Sequence, residues 1–353
     1  MTPIVPTIRG RGANTNPRNR FERLAVELDR DLLDEEGIIS PQTTYLRDFS
    51  RTIIARNDSP DVPFTHSINP YRGCAHGCAY CYARPTHEWL GFSAGLDFET
   101  KIVVKDDAPQ LLRAALASEK WEPQMLAMSG VTDCYQPVER KLQITRRCLE
   151  ALAEFRNPVG VITKNHLITR DIDLLRDLAK HRAAVAILSI TTLDAELSRR
   201  MEPRASAPAR RFAAVRQLAD AGIPVGVMLA PVVPGLTDHE MPMILKEAAD
   251  AGAKFAGYVP VRLPSGVAPL FEDWLARHYP GRKDKVLNRI RSLRDGKLNE
   301  STFHARMRGH GQFAQQMSRL FEVAKRKAGI DGKFPTLSTD DFRRPPGKQL
   351  ALF

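Results

Sequence analysis

Short apolar runs in the middle of the chain alternate with longer amphipathic stretches, and this alternation constrains the fold more than any other feature. Together with SINPYRG at 67–73, the runs span 124–131, 159–165, 184–190, 224–233 and 254–263. In the stretches between them, apolar residues recur every three or four positions, as on one face of a helix. Strands this apolar need cover on both faces. The pattern predicts an α/β fold with six parallel strands, in an open or closed barrel of strand-helix units.

Three of the five cysteines lie within eight residues, as Cys74, Cys78 and Cys81 in the segment YRGCAHGCAYCYARP. They follow the first predicted strand, at the end of the sheet where strand-helix proteins place their chemistry. Three thiolates can hold three irons of a four-iron, four-sulfur cluster and leave the fourth iron open to a non-protein ligand. The next cysteine is 53 residues further along the chain, so the spacing indicates three protein ligands.

Zinc is the competing metal, since His66, His76 and His87 are close enough in sequence to complete a four-ligand site. Zinc ribbons and fingers generally use two pairs of ligands separated by a longer loop, which the cysteine triplet lacks. The pattern favours an iron-sulfur cluster, with zinc as the alternative.

The composition indicates the compartment. The chain has 353 residues and an odd number of cysteines, which argues against a secreted disulfide framework and for a reducing environment. Its first residues contain no apolar core of signal-peptide length, and no apolar run approaches the roughly 20 residues of a membrane-spanning helix. We therefore expect a soluble, cytoplasmic protein.

The positive charge is unevenly placed. The formal net charge is +11, and residues 277–327 hold 14 Lys and Arg against 4 Asp and Glu. A second basic stretch, from Arg9 to Arg23, also contains Gly, Asn and Pro and is typical of a flexible arm. Such patches suit a polyanion such as DNA or RNA. The alternative for the first patch is a solvated helix face carrying Arg289, Arg291, Arg294 and Lys297.

The cysteine spacing, with Tyr80 just before the last cysteine, resembles the cluster loop of the radical S-adenosylmethionine (SAM) enzymes. The resemblance covers roughly residues 65–265 and implies a partial six-stranded (β/α)6 barrel. It also implies a four-iron, four-sulfur cluster whose open iron is chelated by SAM, and a reductant such as flavodoxin or ferredoxin. NPYRGC, YCYAR and LAPVVPGLTDHE resemble the DNA repair photolyase-like branch of that family, which is related to spore photoproduct lyase. The subgroup that the chain most resembles has no assigned substrate.

The same resemblance implies roles for residues in the cluster loop and at the ends of other strands. Tyr80 would contact the cofactors, and Lys164, after the third strand, is placed to pair with the SAM carboxylate. The other candidate SAM contacts are Ser129, Gly130, Thr132 and Asp133, after the second strand, and Ser189, at the end of the fourth. For the Ser and Thr residues, the alternative is that they satisfy backbone groups.

One position departs from the branch. Spore photoproduct lyase is understood to use a cysteine at the end of the second strand to return a hydrogen atom to its product, and Gly130 occupies that slot here. This puts lyase activity on spore photoproduct in doubt. Cys134 is the candidate for a related hydrogen-donor role, and the alternative is an incidental loop thiol.

The predicted organisation has four parts. These are an N-terminal arm and cap (1–64), the barrel (65–265), a basic helical extension (266–330) and an extended tail (331–353). The extension contains Trp274, Tyr279, Phe303 and Phe313, which could stack on bases, although their spacing fits core packing better.

The last five residues, QLALF from Gln349 to Phe353, resemble the clamp-binding pentapeptide of bacterial polymerases and repair proteins. The resemblance implies the bacterial sliding clamp as a partner. The alternative is that the tail folds back onto the barrel.

The leading functional interpretation is a radical SAM enzyme acting on nucleic acid. The alternatives are a radical SAM enzyme that modifies a peptide or protein, and a non-catalytic, cluster-containing nucleic-acid-binding module.

Overall fold

The computed structural model describes residues 7–21, 38–39 and 42–345. The strands are β1 (Thr7–Ile8), β2 (Ile38–Ile39), β3 (Thr44–Arg47), β4 (Ile54–Arg56), β5 (His66–Ile68), β6 (Tyr71–Arg72), β7 (Lys101–Val104), β8 (Leu126–Met128), β9 (Val159–Thr163), β10 (Ala184–Ser189), β11 (Val225–Val232) and β12 (Phe255–Pro260). The helices are α1 (Leu96–Thr100), α2 (Ala108–Ala117), α3 (Glu139–Leu142), α4 (Ile144–Phe155), α5 (Ile172–Lys180), α6 (Ala195–Met201), α7 (Pro208–Asp220), α8 (Met241–Asp250), α9 (Val267–His278), α10 (Lys283–Ser292), α11 (Ala305–Arg308) and α12 (Gly311–Lys327). Short 3-10 helices occur at Arg84–Leu90, His166–Asp171, Asp238–Glu240 and Pro280–Arg282.

The main sheet has seven strands in the order β12-β11-β10-β9-β8-β5-β4. Six of them, β5 and β8 to β12, are mutually parallel, and β4 pairs antiparallel with β5 at one edge. The predicted six parallel strands are therefore confirmed. Their carboxyl ends lie at one edge of the sheet, since Leu188 is in register with Thr163, and Ser189 with Met228.

Helices cover the sheet because its strands are apolar on both faces. All six residues of β10 are buried, as the apolar run AVAILS requires. The helices between the strands present apolar faces to the same core, including Leu149 of α4 and Leu178 of α5. Gly222 and Gly252 follow α7 and α8 with φ of 77° and 98°, so both Ala-Gly pairs end a helix.

The first predicted strand is divided in two. β5 ends at Ile68 and joins the main sheet, whereas β6 pairs antiparallel with β7 in a separate sheet of order β3-β7-β6. Pro70 lies between them and has no N–H to donate to a ladder, which explains the break. The cysteines consequently follow β6, not β5.

The prediction of a flexible N-terminal arm is wrong for residues 7–21, which we call the strap. Arg11, Asn14 and Asn19 are buried, and Asn19 donates to the carbonyl of Glu88 at 2.9 Å. A Cβ on Gly12 would lie 1.8 Å from the carbonyl oxygen of Gly77, so only glycine allows this approach. Of the predicted arm and cap, residues 1–6, 22–37 and 40–41 lie outside the described residues.

The C-terminal extension is helical, as predicted, but it is not all surface. Arg294 is fully buried and donates to the carbonyl of Val261 at 2.8 Å, so its assignment to a solvated helix face is wrong. Trp274 is also fully buried and stacks on Phe271, which confirms core packing for this aromatic residue. Phe303 is half exposed. No helix within the described part of the chain is long and apolar enough to cross a membrane.

The tail is extended as far as it is described. The Ser338 N–H donates to Arg182 O at 2.9 Å, and the Arg343 N–H donates to Phe155 O at 3.0 Å. Both acceptors lie just before strands of the main sheet, so this part of the tail crosses the amino-terminal edge, opposite the cysteines. Gln349–Phe353 lie outside the described residues. The predicted boundaries between the four parts of the chain stay a prediction, although β4 shows that residues before 65 contribute a strand to the main sheet.

Candidate active site

The cluster loop, residues 73–84, is held by backbone hydrogen bonds to three other parts of the chain. The Cys74 N–H donates to Phe98 O at 2.9 Å, and the Ala75 N–H donates to Gln136 Oε1 at 2.9 Å. The Ala79 N–H donates to Met201 O at 3.0 Å. These contacts fix the path of the loop independently of any ligand.

A buried ion pair between Arg84 and Glu99 stabilises the cluster loop. The Arg84 guanidinium donates to Cys78 O at 2.8 Å and to Glu99 Oε1 at 2.5 Å, and neither charged side chain is exposed. Glu99 also accepts the N–H groups of Gly12 at 3.0 Å and Ala13 at 2.8 Å. Glu99 therefore joins the cluster loop to the strap.

Glycine is required at two turns of the cluster loop. Gly73 and Gly77 have φ of 75° and 66°, in the left-handed region that side chains disfavour. A Cβ on Gly77 would lie 2.5 Å from Glu99 Oε2. The loop thus brings its cysteines around tightly at positions where alanine would be strained.

The cysteines divide into two groups. All five are free thiols, with Cys74 and Cys78 buried and Cys81 half-buried within the cluster loop. Cys134 and Cys148 are completely buried in the main apolar core. The structure thus sets three thiols apart, in the number that a cluster with one open iron requires.

The histidines considered for zinc have other partners. His87 lies 3.0 Å from Lys101 O, and His66 lies 3.0 Å from the hydroxyl of its neighbour Thr65. His76 pairs with Asp133, at 3.4 Å between Nδ1 and Oδ2. Across the described residues, no three His, Cys, Asp or Glu side chains lie close enough together to hold a single metal ion.

Asp133 connects the ends of two strands to the cluster loop. Its carboxylate accepts the Thr163 hydroxyl at 2.7 Å and the Lys164 N–H at 2.9 Å, and it faces His76. Burial opposes its ionisation, but the charge and hydrogen bond of His76 outweigh burial and hold the pKa of Asp133 at about 2. Burial likewise opposes protonation of His76, yet Asp133 and Cys74 raise the pKa of His76 to about 10. Asp133 is therefore committed to an ion pair beside Cys74.

The other predicted SAM contacts after β8 make hydrogen bonds within the protein. The Thr132 hydroxyl donates to Tyr71 O at 2.5 Å, and Ser129 Oγ accepts the Cys134 N–H at 2.9 Å. The carbonyl of Gly130 accepts the hydroxyl of Tyr82 at 3.1 Å, which brings this turn against the cluster loop. Ser129 and Thr132 thus satisfy backbone groups, the alternative that the sequence left open.

Lys164, at the end of β9, lies close to Tyr80 of the cluster loop. The Lys164 ammonium donates to Ala230 O at 3.3 Å and lies 5.9 Å from the centroid of the Tyr80 ring. The Tyr80 hydroxyl donates to Glu202, which is buried. Lys164 has no carboxylate in hydrogen-bonding contact among the described residues, so its charge is available to an anionic ligand.

Glu202 has a partner that the sequence did not indicate. It pairs with Arg211, equally buried, and not with the nearby Arg204. Burial opposes ionisation of Glu202, but the Arg211 charge outweighs it and lowers the pKa of the carboxyl. Arg211 also donates to the carbonyl of Ser189 at 2.9 Å. The predicted residue Ser189 is thereby fixed, with its own side chain buried.

Cys134 faces the core. The Thr145 hydroxyl donates to its carbonyl at 2.6 Å, and burial raises the pKa of its thiol well above the usual value. Its role as a hydrogen donor stays a prediction.

Tyr82 and Arg262 form a pair that the sequence reasoning missed. Tyr82 directly follows Cys81 and is half exposed, and the Arg262 guanidinium lies 5.5 Å from its ring centroid. Arg262 follows β12, and its buried Nε has no hydrogen-bond partner among the described residues. The available signals were an aromatic residue next to the last cysteine and an arginine at a strand end.

The arrangement matches a known family. The model of the radical SAM superfamily matches residues 68–248, about half of the chain. This chain belongs to the radical SAM superfamily. It is therefore an enzyme of radical chemistry, as the cysteine spacing implied, and its substrate is unassigned.

Two relatives in sequence are uncharacterized proteins. An uncharacterized protein of Mycobacterium tuberculosis is 35% identical over 234 residues, which span 66% of this chain and 68% of that protein. An uncharacterized protein of Methanocaldococcus jannaschii is 30% identical over 173 residues, which span 49% of this chain and 62% of that protein.

Among solved structures, this radical SAM enzyme is similar to spore photoproduct lyase. The complex of that enzyme with a dinucleoside spore photoproduct gives a TM-score of 0.57 at 17% identity, covering 80% of this chain and 79% of the other. A mutant of spore photoproduct lyase gives 0.57 at 16% identity, covering 83% and 82%. The predicted resemblance to this branch is confirmed at the level of the fold.

Proposed function

We propose that this radical SAM enzyme binds a four-iron, four-sulfur cluster and SAM and acts on nucleic acid. The cluster ligands are Cys74, Cys78 and Cys81, since the other two cysteines are buried in the core. When bound and reduced, such a cluster supplies the electron that cleaves SAM to methionine and a 5′-deoxyadenosyl radical. The loop residues fit this group because three free thiols lie on one loop that the protein holds in place.

Lys164 is the residue that we expect to bind the SAM carboxylate. Its ammonium lies over the Tyr80 ring on the inner side of the cluster loop. Charge-assisted contacts of this kind are stronger than neutral hydrogen bonds. We also propose a backbone contact from Gly130 to SAM, and Asp133 positions Lys164 by accepting its N–H.

The observation that carries the choice of nucleic acid is the pair of Tyr82 and Arg262. An exposed aromatic ring can stack on a base, and a guanidinium without a carboxylate partner can bind a phosphate. Tyr82 directly follows the last cluster cysteine and Arg262 lies over the Tyr82 ring, so a nucleotide held there would be close to the site of radical formation. Spore photoproduct lyase, which has the same fold, has been solved with a dinucleoside spore photoproduct.

Isotope transfer from defined substrates tests this proposal. DNA or RNA deuterated at its sugar or base carbons should transfer label to 5′-deoxyadenosine, or to SAM if SAM is regenerated. Tyr82→Ala and Arg262→Gln should weaken oligonucleotide binding, each by roughly tenfold, the scale of one lost base stack or charged contact. If a deuterated peptide transferred label and neither DNA nor RNA did, the proposal would be contradicted.

Two partners complete it. The cleavage of SAM requires a one-electron reductant, such as flavodoxin or ferredoxin.

QLALF at 349–353 is proposed to bind the bacterial sliding clamp, with the Leu-Phe pair as apolar anchors. A labelled C-terminal peptide should bind purified clamp with roughly micromolar affinity, and a peptide with Leu352 and Phe353 changed to Ala should not. Equal binding of both peptides would exclude the clamp motif.

A further inference from the structure

A basic cleft of about 790 Å³ lies between the segments 137–140, 165–170 and 204–210. Its lining contains the arginines Arg140, Arg170, Arg204 and Arg210 together with His166, and no carboxylate of the described residues lines it. Arg170 is already paired with Glu139 and Asp171. The remaining three arginines are exposed, and within the described residues none of them makes an ion pair with a carboxylate. The basic cleft therefore presents three positive charges for an external partner.

Hydrogen bonds connect this cleft to the cluster loop. Asn165, which lines the cleft, lies 3.2 Å from His76 Nε2 through its side-chain amide. His76 lies between Cys74 and Cys78 in the chain. The Arg204 N–H donates to His76 O at 3.2 Å. The wall of the cleft is thus in contact with the segment that carries the first two cluster cysteines.

The basic cleft lies on one face of the end of β9, and the proposed SAM site beside Lys164 and Tyr80, which we call the substrate side, lies on the other. Lys164 points toward Tyr80 and Ala230, inside the sheet end where SAM is proposed to bind. Asn165 has extended backbone angles, φ −114° and ψ 132°, so its side chain points the other way. A partner in the basic cleft would consequently approach the cluster loop without blocking the substrate side.

We propose that the basic cleft is the docking surface for an acidic one-electron donor protein. This inference rests on the proposed cluster. The docked donor is oxidised by one electron, and the cluster is reduced by the same electron, with no proton or other group transferred. The three exposed arginines, which make no ion pair within the described residues, attract an acidic protein and orient it. Among the described residues the lining includes no Phe, Tyr or Trp ring, so the cleft is less suited to stacking the bases of single-stranded nucleic acid than the Tyr82 side is.

The test measures binding to the reconstituted full-length enzyme, with purified bacterial flavodoxin as the donor and a single-stranded oligonucleotide as the competing ligand. The cleft variant carries Arg140→Gln, Arg204→Gln and Arg210→Gln. A matched control carries Arg282→Gln, Lys283→Gln and Lys285→Gln, which remove the same charge near the start of α10. Fluorescence anisotropy of labelled flavodoxin gives the dissociation constant at low and physiological salt.

We expect the cleft variant to bind flavodoxin about tenfold more weakly, the combined scale of three exposed ion pairs. The control should bind flavodoxin within about twofold of wild type on the same scale, and the cleft variant should bind the oligonucleotide as wild type does. Unchanged flavodoxin binding in the cleft variant, or no flavodoxin binding by wild type, would overturn the proposal. If the cleft variant lost oligonucleotide binding and kept flavodoxin binding, the cleft would be assigned to nucleic acid.

Chemical reduction separates this proposal from the proposed function. Dithionite is a small reductant that needs no docking surface, so dithionite-driven SAM cleavage should be the same in wild type and the cleft variant. Equal dithionite-driven cleavage also shows that the variant is folded. An absence of SAM cleavage in both proteins would count against the proposed function, whereas the flavodoxin affinities would still decide the docking surface.

Discussion

Glu99 joins the strap to the cluster loop, so its replacement is the most informative single perturbation of this fold. Its carboxylate pairs with Arg84 at 2.5 Å, with both side chains fully buried, and accepts two N–H groups of the strap. In Glu99→Gln the side chain keeps its volume, but Arg84 becomes a buried charge without a counter-charge. The new amide group also turns N–H hydrogens toward a donor.

The size of the effect follows from this burial. Removing one partner of a buried ion pair costs about 3–5 kcal/mol, and this range includes the penalty of the unpaired charge. We expect the free energy of unfolding of the metal-free enzyme to fall by that amount. With a urea m-value on the order of 3 kcal/mol per molar, the unfolding midpoint should fall by about 1–1.7 M.

Urea unfolding of the metal-free protein, followed by circular dichroism, measures this shift. Asp107→Asn is the matched control, because it removes the Arg47–Asp107 pair, whose side chains are 58% and 59% exposed. An exposed pair contributes less than about 1 kcal/mol, so the control should change the midpoint little. Limited proteolysis should also cut the strap faster in Glu99→Gln. If the Glu99→Gln shift were no larger than that of Asp107→Asn, the argument from burial would be refuted.

Three further results are expected. Gly77→Ala should reduce the iron bound after anaerobic reconstitution, because the new Cβ would lie 2.5 Å from Glu99 Oε2. The control Gly281→Ala should bind iron as wild type does, since no atom lies within 4 Å of its new Cβ. Equal iron contents in the two variants would contradict this prediction. Burial lowers the pKa of His87 to about 4, below its ordinary value of 6.5. As the pH falls from 6.5 toward 4, His87 is protonated in the unfolded chain but not in the folded protein, so the folded protein loses stability over that range. In His87→Phe the pH-dependent loss of stability over that window should be smaller by up to about 3 kcal/mol, and parallel urea-midpoint curves for the two proteins would be inconsistent with a buried neutral His87. Lys164→Met should weaken SAM binding by about tenfold in calorimetry, the scale of one charge-assisted contact, while the exposed Lys246→Met should not; similar affinities for both variants would remove Lys164 from the SAM site.

The sheet and most of its helices could be predicted because burial leaves a pattern in the sequence. Strands covered on both faces are continuous apolar runs, and the helices between them show apolar residues every three or four positions. The cysteine spacing likewise located the loop that carries three free thiols, and their role as cluster ligands stays a prediction. The same approach misjudged the continuity of the first strand, since Pro70 divides it.

Buried charges and the strap could not be predicted, because their interactions leave no apolar pattern. Arg84, Arg211 and Arg294 are fully buried, although arginine is seldom buried and the sequence around them looks like surface. The strap packs through backbone N–H groups and the absence of a side chain at Gly12, in a composition typical of disorder. The Tyr82–Arg262 pair joins residues 180 positions apart, and only the sheet order brings them together.

The most direct test of the account is the cleavage of SAM by the purified enzyme. The protein is reconstituted with iron and sulfide without oxygen, reduced with dithionite and incubated with SAM, and 5′-deoxyadenosine is measured by chromatography. The account predicts about four irons per chain, by the stoichiometry of such a cluster, and 5′-deoxyadenosine from wild type. Cys74→Ala, Cys78→Ala and Cys81→Ala should each abolish it, and Cys148→Ala should not. Stoichiometric zinc in place of iron in protein kept from oxygen, or equal 5′-deoxyadenosine from wild type and the three ligand variants, would contradict the account.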